Sequence, residues 1–247
     1  MLKKLCLYLC LYINFFLLTA NAFAAGSGDT GLQKNLIEPA PAGTVDYDLG
    51  CDACRKAGHQ HALLVSKENN QKIALAIISE EEAGKVFAEI VARGDIPFEY
   101  LRDGCYARAQ KMALILDDKG ILSGKVFMEG KIYYDTPNQG ELGWSYQVSP
   151  VVLVKKNGQV IPYVIEPSFF TKPVPVAEWE AKLIQKAKTQ ITAAYYTNRF
   201  SYDTRDRNAK YDDFREDQLD DMDMTNRNHM RKLYVEAEMK RRAAAGR

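Results

Sequence analysis

The sequence predicts an α+β fold in one domain, with a cysteine-bearing helix packed on an antiparallel sheet. Three observations predict it. Apolar runs of strand length recur along the chain; two amphipathic segments carry caps and helical spacing; and 247 residues, 47% of them hydrophobic, suffice for one sizeable core. The formal charge of +1 gives no electrostatic reason to expect nucleic acid or an anionic membrane as partner.

The elements follow in order. Lys3 and Lys4 precede an apolar run from Leu5 to Leu18, and Ala22, Phe23 and Ala24 make an A-x-A-like site. That is the pattern of a secretory signal peptide over residues 1–24, with Ala25 or Gly26 as the mature start; an uncleaved anchor is the rival reading. A secreted or periplasmic protein is expected, with no stable membrane insertion after cleavage. Residues 26–50 are rich in Gly, Pro and Ala and read as a linker or arm. Strands are expected at Ala62–Val65 and Ile73–Ile78, so residues 25–78 form an N-terminal arm or a possible pro-segment. Ser79 and Glu82 then make a capping box. It opens a helix with Ala83, Val86, Phe87, Ile90 and Val91 on one face, ended by Gly94. A second helix starts near Cys105, where Ala109, Met112, Ala113 and Leu116 repeat at helical spacing and Gly120 lies past the end. Strand-like runs come next at Lys125–Met128, Lys131–Tyr134, Tyr146–Val154 and Gln159–Ile165. A helix is expected from Val176 to Ile191, and residues 79–202 form the main domain.

The tail, 203–247, changes character. Residues 203–223 hold nine acidic and four basic side chains, and residues 227–247 hold two acidic and seven basic. A partly helical tail, folded back on itself by charge or simply solvated, fits this pattern. Asp221 and Asp223 hint at a calcium loop, but the glycine and closing glutamate of an EF-hand are missing.

Signal cleavage would remove Cys6 and Cys10 and leave Cys51, Cys54 and Cys105, an odd number in an oxidising compartment. Cys51 and Cys54, with His59 and His61, spell C-x2-C-x4-H-x-H. A disulfide, a tetrahedral zinc or copper site and a redox-active pair are all open readings. Cys105 is then either a small buried hydrophobe or a reactive thiol. It follows Asp103-Gly104 and heads a helix, where unpaired N–H groups and the positive dipole end stabilise a thiolate. A nucleophile there needs a base beside it.

Three blocks carry a resemblance: IPFEYLRDGCYARAQKM (Ile96–Met112), GWSYQVSPVVLV (Gly143–Val154) and VIEPSFFTKPVPVAEW (Val164–Trp179). In order and spacing, from about Ile96 to Tyr202, they resemble the protein-glutaminase family of cysteine amidohydrolases. The resemblance implies a papain-like fold and a Cys–His–Asp triad that deamidates glutamine side chains of intact proteins, releasing ammonia, with no cofactor. Protein is then the substrate or binding partner. Cys105 falls on the nucleophile. The family's WSYHVA motif falls on Trp144–Ser149, so its base histidine is Gln147 here; its IDPS motif falls on Ile165–Ser168, so its orienting aspartate is Glu166. The histidine of the family's RAHKM is Gln110. Trp144, Tyr146 and Ser168, with Phe169 and Phe170, are candidates to line the slot for the substrate side chain; aromatics in strands serve equally as core.

The two departures in the triad differ in weight. Glutamate keeps the carboxylate, one methylene further out. Glutamine offers no nitrogen that accepts a proton near neutral pH, and general acid–base help is worth about 10²–10⁴-fold. A base relocated to His59, His61 or His229 requires the fold to bring that ring to the sulfur. The expectation is a degenerate Cys105–Gln147–Glu166 triad that binds protein. An active deamidase with an unusual base is the alternative, and a metal or redox role for Cys51 and Cys54 the third reading.

Overall fold

The computed structural model describes residues 32, 36–40, 51–136 and 139–246. The signal-peptide reading of residues 1–24 and most of the 26–50 arm lie outside them.

Two-sided burial builds the sheet. In β3 (Gln71–Ser79) Ile73 and Leu75 bury on one face while Ala76 and Ile78 bury on the other. In β5 (Gly140–Lys156) Val151 and Leu153 alternate in the same way with Val152 and Val154. Strands covered on both faces read as continuous apolar runs, and both segments do. The strand path starts with β1 (Leu36–Pro39) and β2 (Gln60–Ser66), passes through β3 and β5, and ends with β4 (Gly124–Thr136) and β8 (Gln190–Asn198). β6 (Gln159–Val164) pairs with β5, and β7 (Val174–Pro175) with β6. Every pairing is antiparallel except β3 with β5. Through that parallel contact the β2–β3 hairpin is part of the sheet that carries Gln147.

Helices α1 (Asp52–Ala57), α2 (Glu80–Val91) and α3 (Cys105–Asp118) cover one face, packing Cys54, Ile90, Met112 and Leu116 on Ile78, Val152 and Val154. On the other face α4 (Val176–Leu183) places Trp179 and Leu183 against Leu64, Leu75, Val151 and Leu153. The fold is α+β, with the cysteine-bearing helix packed on a mostly antiparallel, curled sheet.

Local expectations meet mixed outcomes. Ser79 caps α2, accepting from the Glu82 amide at 3.0 Å, while the Glu82 carboxylate turns to His59. Val91, expected on the apolar face, is exposed. The runs at 125–128 and 131–134 are one strand, β4, bent by a bulge between Glu129 and Ile132. Gly130, at φ 143°, sits there because a Cβ would collide with the Gln190 carbonyl of β8. The helix expected over 176–191 stops at Leu183. Residues 190–198, rich in β-branched and aromatic side chains, instead add β8 to β4: pairing along an open strand edge outweighs a short run of helical spacing. The charged tail forms α5 (Glu216–Ala245), which buries Met222, Thr225, Asn226 and His229 and packs on α3. Among the described residues no helix is long and apolar enough to cross a membrane.

Candidate active site

Gly104 turns the chain into α3 with φ 81° and offers no side-chain cap, which leaves the first amides of the helix free beside Cys105. Asp103 accepts the Gly104 N–H at 2.6 Å, and the Arg108 guanidinium donates to the Tyr100 and Asp103 carbonyls, both at 2.8 Å. Arg108 therefore ties the 100–103 loop to the first turn of the helix. It is 2% exposed, and motif reading passed over it, although its position three residues after Cys105 puts it one turn away on the same helix.

The Cys105 side chain is 8% exposed and packs with Ala109, Phe127, Val148 and Tyr195. Its S–H points at the Tyr146 carbonyl, 4.0 Å away. Burial pushes the thiol up to about 12; the Arg108 charge and the Val148 amide pull it down, whereas Glu166 and Asp103 add to the rise. The lowering expected from the helix start is outweighed by desolvation.

Cys105, Arg108, Trp144, Tyr146 and Gln147 line a cavity of about 160 Å³. Gln147 is buried, and its Oε1 has no hydrogen-bond partner among the described residues. Glu166 lies outside that lining, buried, with Oε1 accepting the Ser168 amide at 3.1 Å. Burial raises the Glu166 pKa and the Arg108 charge lowers it, so the thiol and the carboxyl share one cation. Trp144 donates to the Leu101 carbonyl at 2.8 Å and packs near Tyr134 and Phe169. It is thus both wall and core, while Phe169 and Phe170 pack against the core beneath α4. Ser168 lines a second, larger groove.

The three imidazoles are far apart in role. His59 bonds the Gly120 carbonyl at 3.0 Å and Glu82 at 2.9 Å, joining α1 to the ends of α2 and α3. His61 sits in β2 opposite Ala76. His229, on α5, reaches the cysteine loop: it stacks on Tyr100 at 4.1 Å and fills the space beside Gly104. It is 5% exposed, its Nδ1 has no hydrogen-bond partner among the described residues, and burial lowers its pKa. The hydrogen bond of the Cys105 sulfur goes to Tyr146, not to this ring. Cys51 and Cys54 form a disulfide at the start of α1, with Asp117 beside it; the bond separates them from His59 as ligands.

Gln110, two residues short of Met112 in the first block, accepts from the Lys125 ammonium, which also donates to the Ser201 carbonyl. Lys125 is fully buried, and burial pushes its pKa down to about 7 against the pull of Asp206, Asp117 and Asp203.

Among solved structures, the chain is similar to the NMR structure of protein-glutaminase from Chryseobacterium proteolyticum, at 26% identity over 51% of this chain and 75% of that one, with a TM-score of 0.46. It is similar also to a crystal structure of pro-protein-glutaminase, at 27% identity over 51% of this chain and 49% of that one, TM-score 0.46. No curated protein matches the chain. The family model described as Glutaminase matches residues 83–183, which run from α2 to the end of α4 and hold Cys105, Gln147 and Glu166. Over that span the sequence is similar to the glutaminase family, and the chain resembles the protein-glutaminases.

Proposed function

We propose that this is an exported, protein-binding relative of the protein-glutaminases whose cavity takes a carboxamide side chain but does not turn it over at an enzyme's pace. One observation carries the reading: the Cys105 thiol, pushed up to about 12, shares its cavity with an amide, Gln147, in the base's place. Against an ordinary thiol value of 9.0, such a shift leaves about a thousandfold less thiolate at neutral pH. The buried Gln147 Oε1 is suited to accept from a bound amide NH₂. In this papain-like reading Trp144 and Tyr146 wall the slot and Ser168 lines the adjoining groove. Residues 1–24 act as the export signal. A cleavable pro-segment within 25–78 would end before Leu32, since Leu32 and the Cys51–Cys54 pair are buried in the core and β1, β2 and β3 are built into the sheet.

The test is ammonia release from an unfolded protein by the wild type, Cys105→Ala and Gln147→His. The expected result is no release above the Cys105→Ala background and a gain of about 10²-fold or more for Gln147→His. Wild-type release that disappears in Cys105→Ala overturns the reading. Glu166 favours the active alternative to one extent only: its carboxyl, with a raised pKa, is one of two acids, with Asp103, whose charge acts on the thiol. That alternative requires wild-type release to be abolished by Glu166→Gln.

A further inference from the structure

The 160 Å³ cavity that would hold a glutamine side chain at Gln147 is lined in part by Leu101 and Arg102. The same two residues line a groove of about 670 Å³ that continues between the 98–102 loop and the distal half of α5, where Phe98, Leu233, Met239 and Lys240 complete it. The geometry points to this groove as the subsite for the polypeptide flanking the captured glutamine, with α5 selecting protein over small amides. The inference rests on the reading of the cavity as a carboxamide site.

Three observations favour a polypeptide as the occupant. The groove adjoins the cavity that would hold the side chain, sharing Leu101 and Arg102 with it. Its charged lining is mixed, Glu99 and Glu236 beside Arg102 and Lys240, which suits a main chain of varied sequence rather than a polyanion. Met239, a large apolar residue exposed to solvent, lies in the groove wall, where solvent-facing apolar groups mark interaction surfaces. The wall is also fixed relative to the cysteine. Asn226 donates to the Ala107 carbonyl at 3.3 Å, Lys111 pairs with Asp223 at 3.1 Å, and His229 seats on Gly104. α5 lies beyond residues 83–183 matched by the family model, so this wall is an addition to the glutaminase segment.

The experiment uses the full chain carrying Cys105→Ala, so that nothing is hydrolysed, alone and with Met239→Asp or Tyr234→Ser. Both second sites are exposed, and Tyr234 does not line the groove. Binding of reduced, carboxymethylated serum albumin is measured by titration, and binding of N-acetyl-glutamine methylamide by chemical-shift perturbation. Met239→Asp is expected to weaken albumin binding about tenfold, or 1.4 kcal/mol, leaving the small amide within twofold; Tyr234→Ser is expected to change neither. Unchanged albumin binding in Met239→Asp overturns the groove alone. A parent chain that binds neither probe overturns the carboxamide reading and the groove with it.

Discussion

At Gly104 the backbone takes φ 81°, and a Cβ would approach the His229 ring to 2.7 Å. Both facts demand glycine, the first through chain geometry and the second through the tail helix. Gly104→Ala is therefore expected to lower stability by about 1–3 kcal/mol, read from urea denaturation. His229→Ala in the same chain should restore only the part that comes from the ring. Full restoration would show that the left-handed backbone costs nothing. Cys105, Gln147 and Glu166 were legible by motif, because an ordered block of residues survives in the chain. Arg108 was not, since what makes it matter is the set of carbonyls it ties and the charge it places between thiol and carboxyl. Neither appears until the loop folds over the helix.

At the scale of elements, Cys51 caps α1, accepting from the Cys54 amide at 3.1 Å, and is bonded to Cys54. The pair is buried with α2 and α3 in the core on that face, so it acts as a clasp on the end of α3 furthest from Cys105. Closing so short a loop restricts the unfolded chain by only about 2 kcal/mol. The double substitution Cys51→Ser, Cys54→Ser is expected to cost about that much in urea denaturation, since serine keeps the cap, and to leave albumin binding by the Cys105→Ala chain unchanged. A loss of binding without a loss of stability would return the redox or metal reading to the front. Capping and spacing identified α2 and α3, because their signals are local. β8 was missed, and only its first two residues were read as the end of a helix: its pairing with β4 is a contact across about sixty to seventy residues, and local periodicity does not carry it.

For the whole molecule, the buried Lys125 links pH to stability. Its folded pKa is about 7, below the unfolded value, so between pH 7 and 9 the unfolded chain keeps a proton that the folded chain has released. Stability from this group rises with pH across that window. Above pH 9 Cys105 acts in the opposite direction, since its folded pKa lies above its unfolded one. Urea midpoints measured at pH 7 and 9 should rise in the wild type, and the rise should shrink in Lys125→Met. An equal slope in both would rule out Lys125 as its source.

By itself the sequence determined the α+β class, the helix that carries Cys105 and the presence of a carboxamide at position 147, all of which are written in neighbouring residues. Only the tertiary structure decided how those groups behave. Burial raises the thiol above what a helix start alone would allow, Arg108 serves two acids at once, and the charged tail becomes a wall beside the cavity. Desolvation and long-range packing depend on which distant segments cover a group, and that is a property of the folded chain.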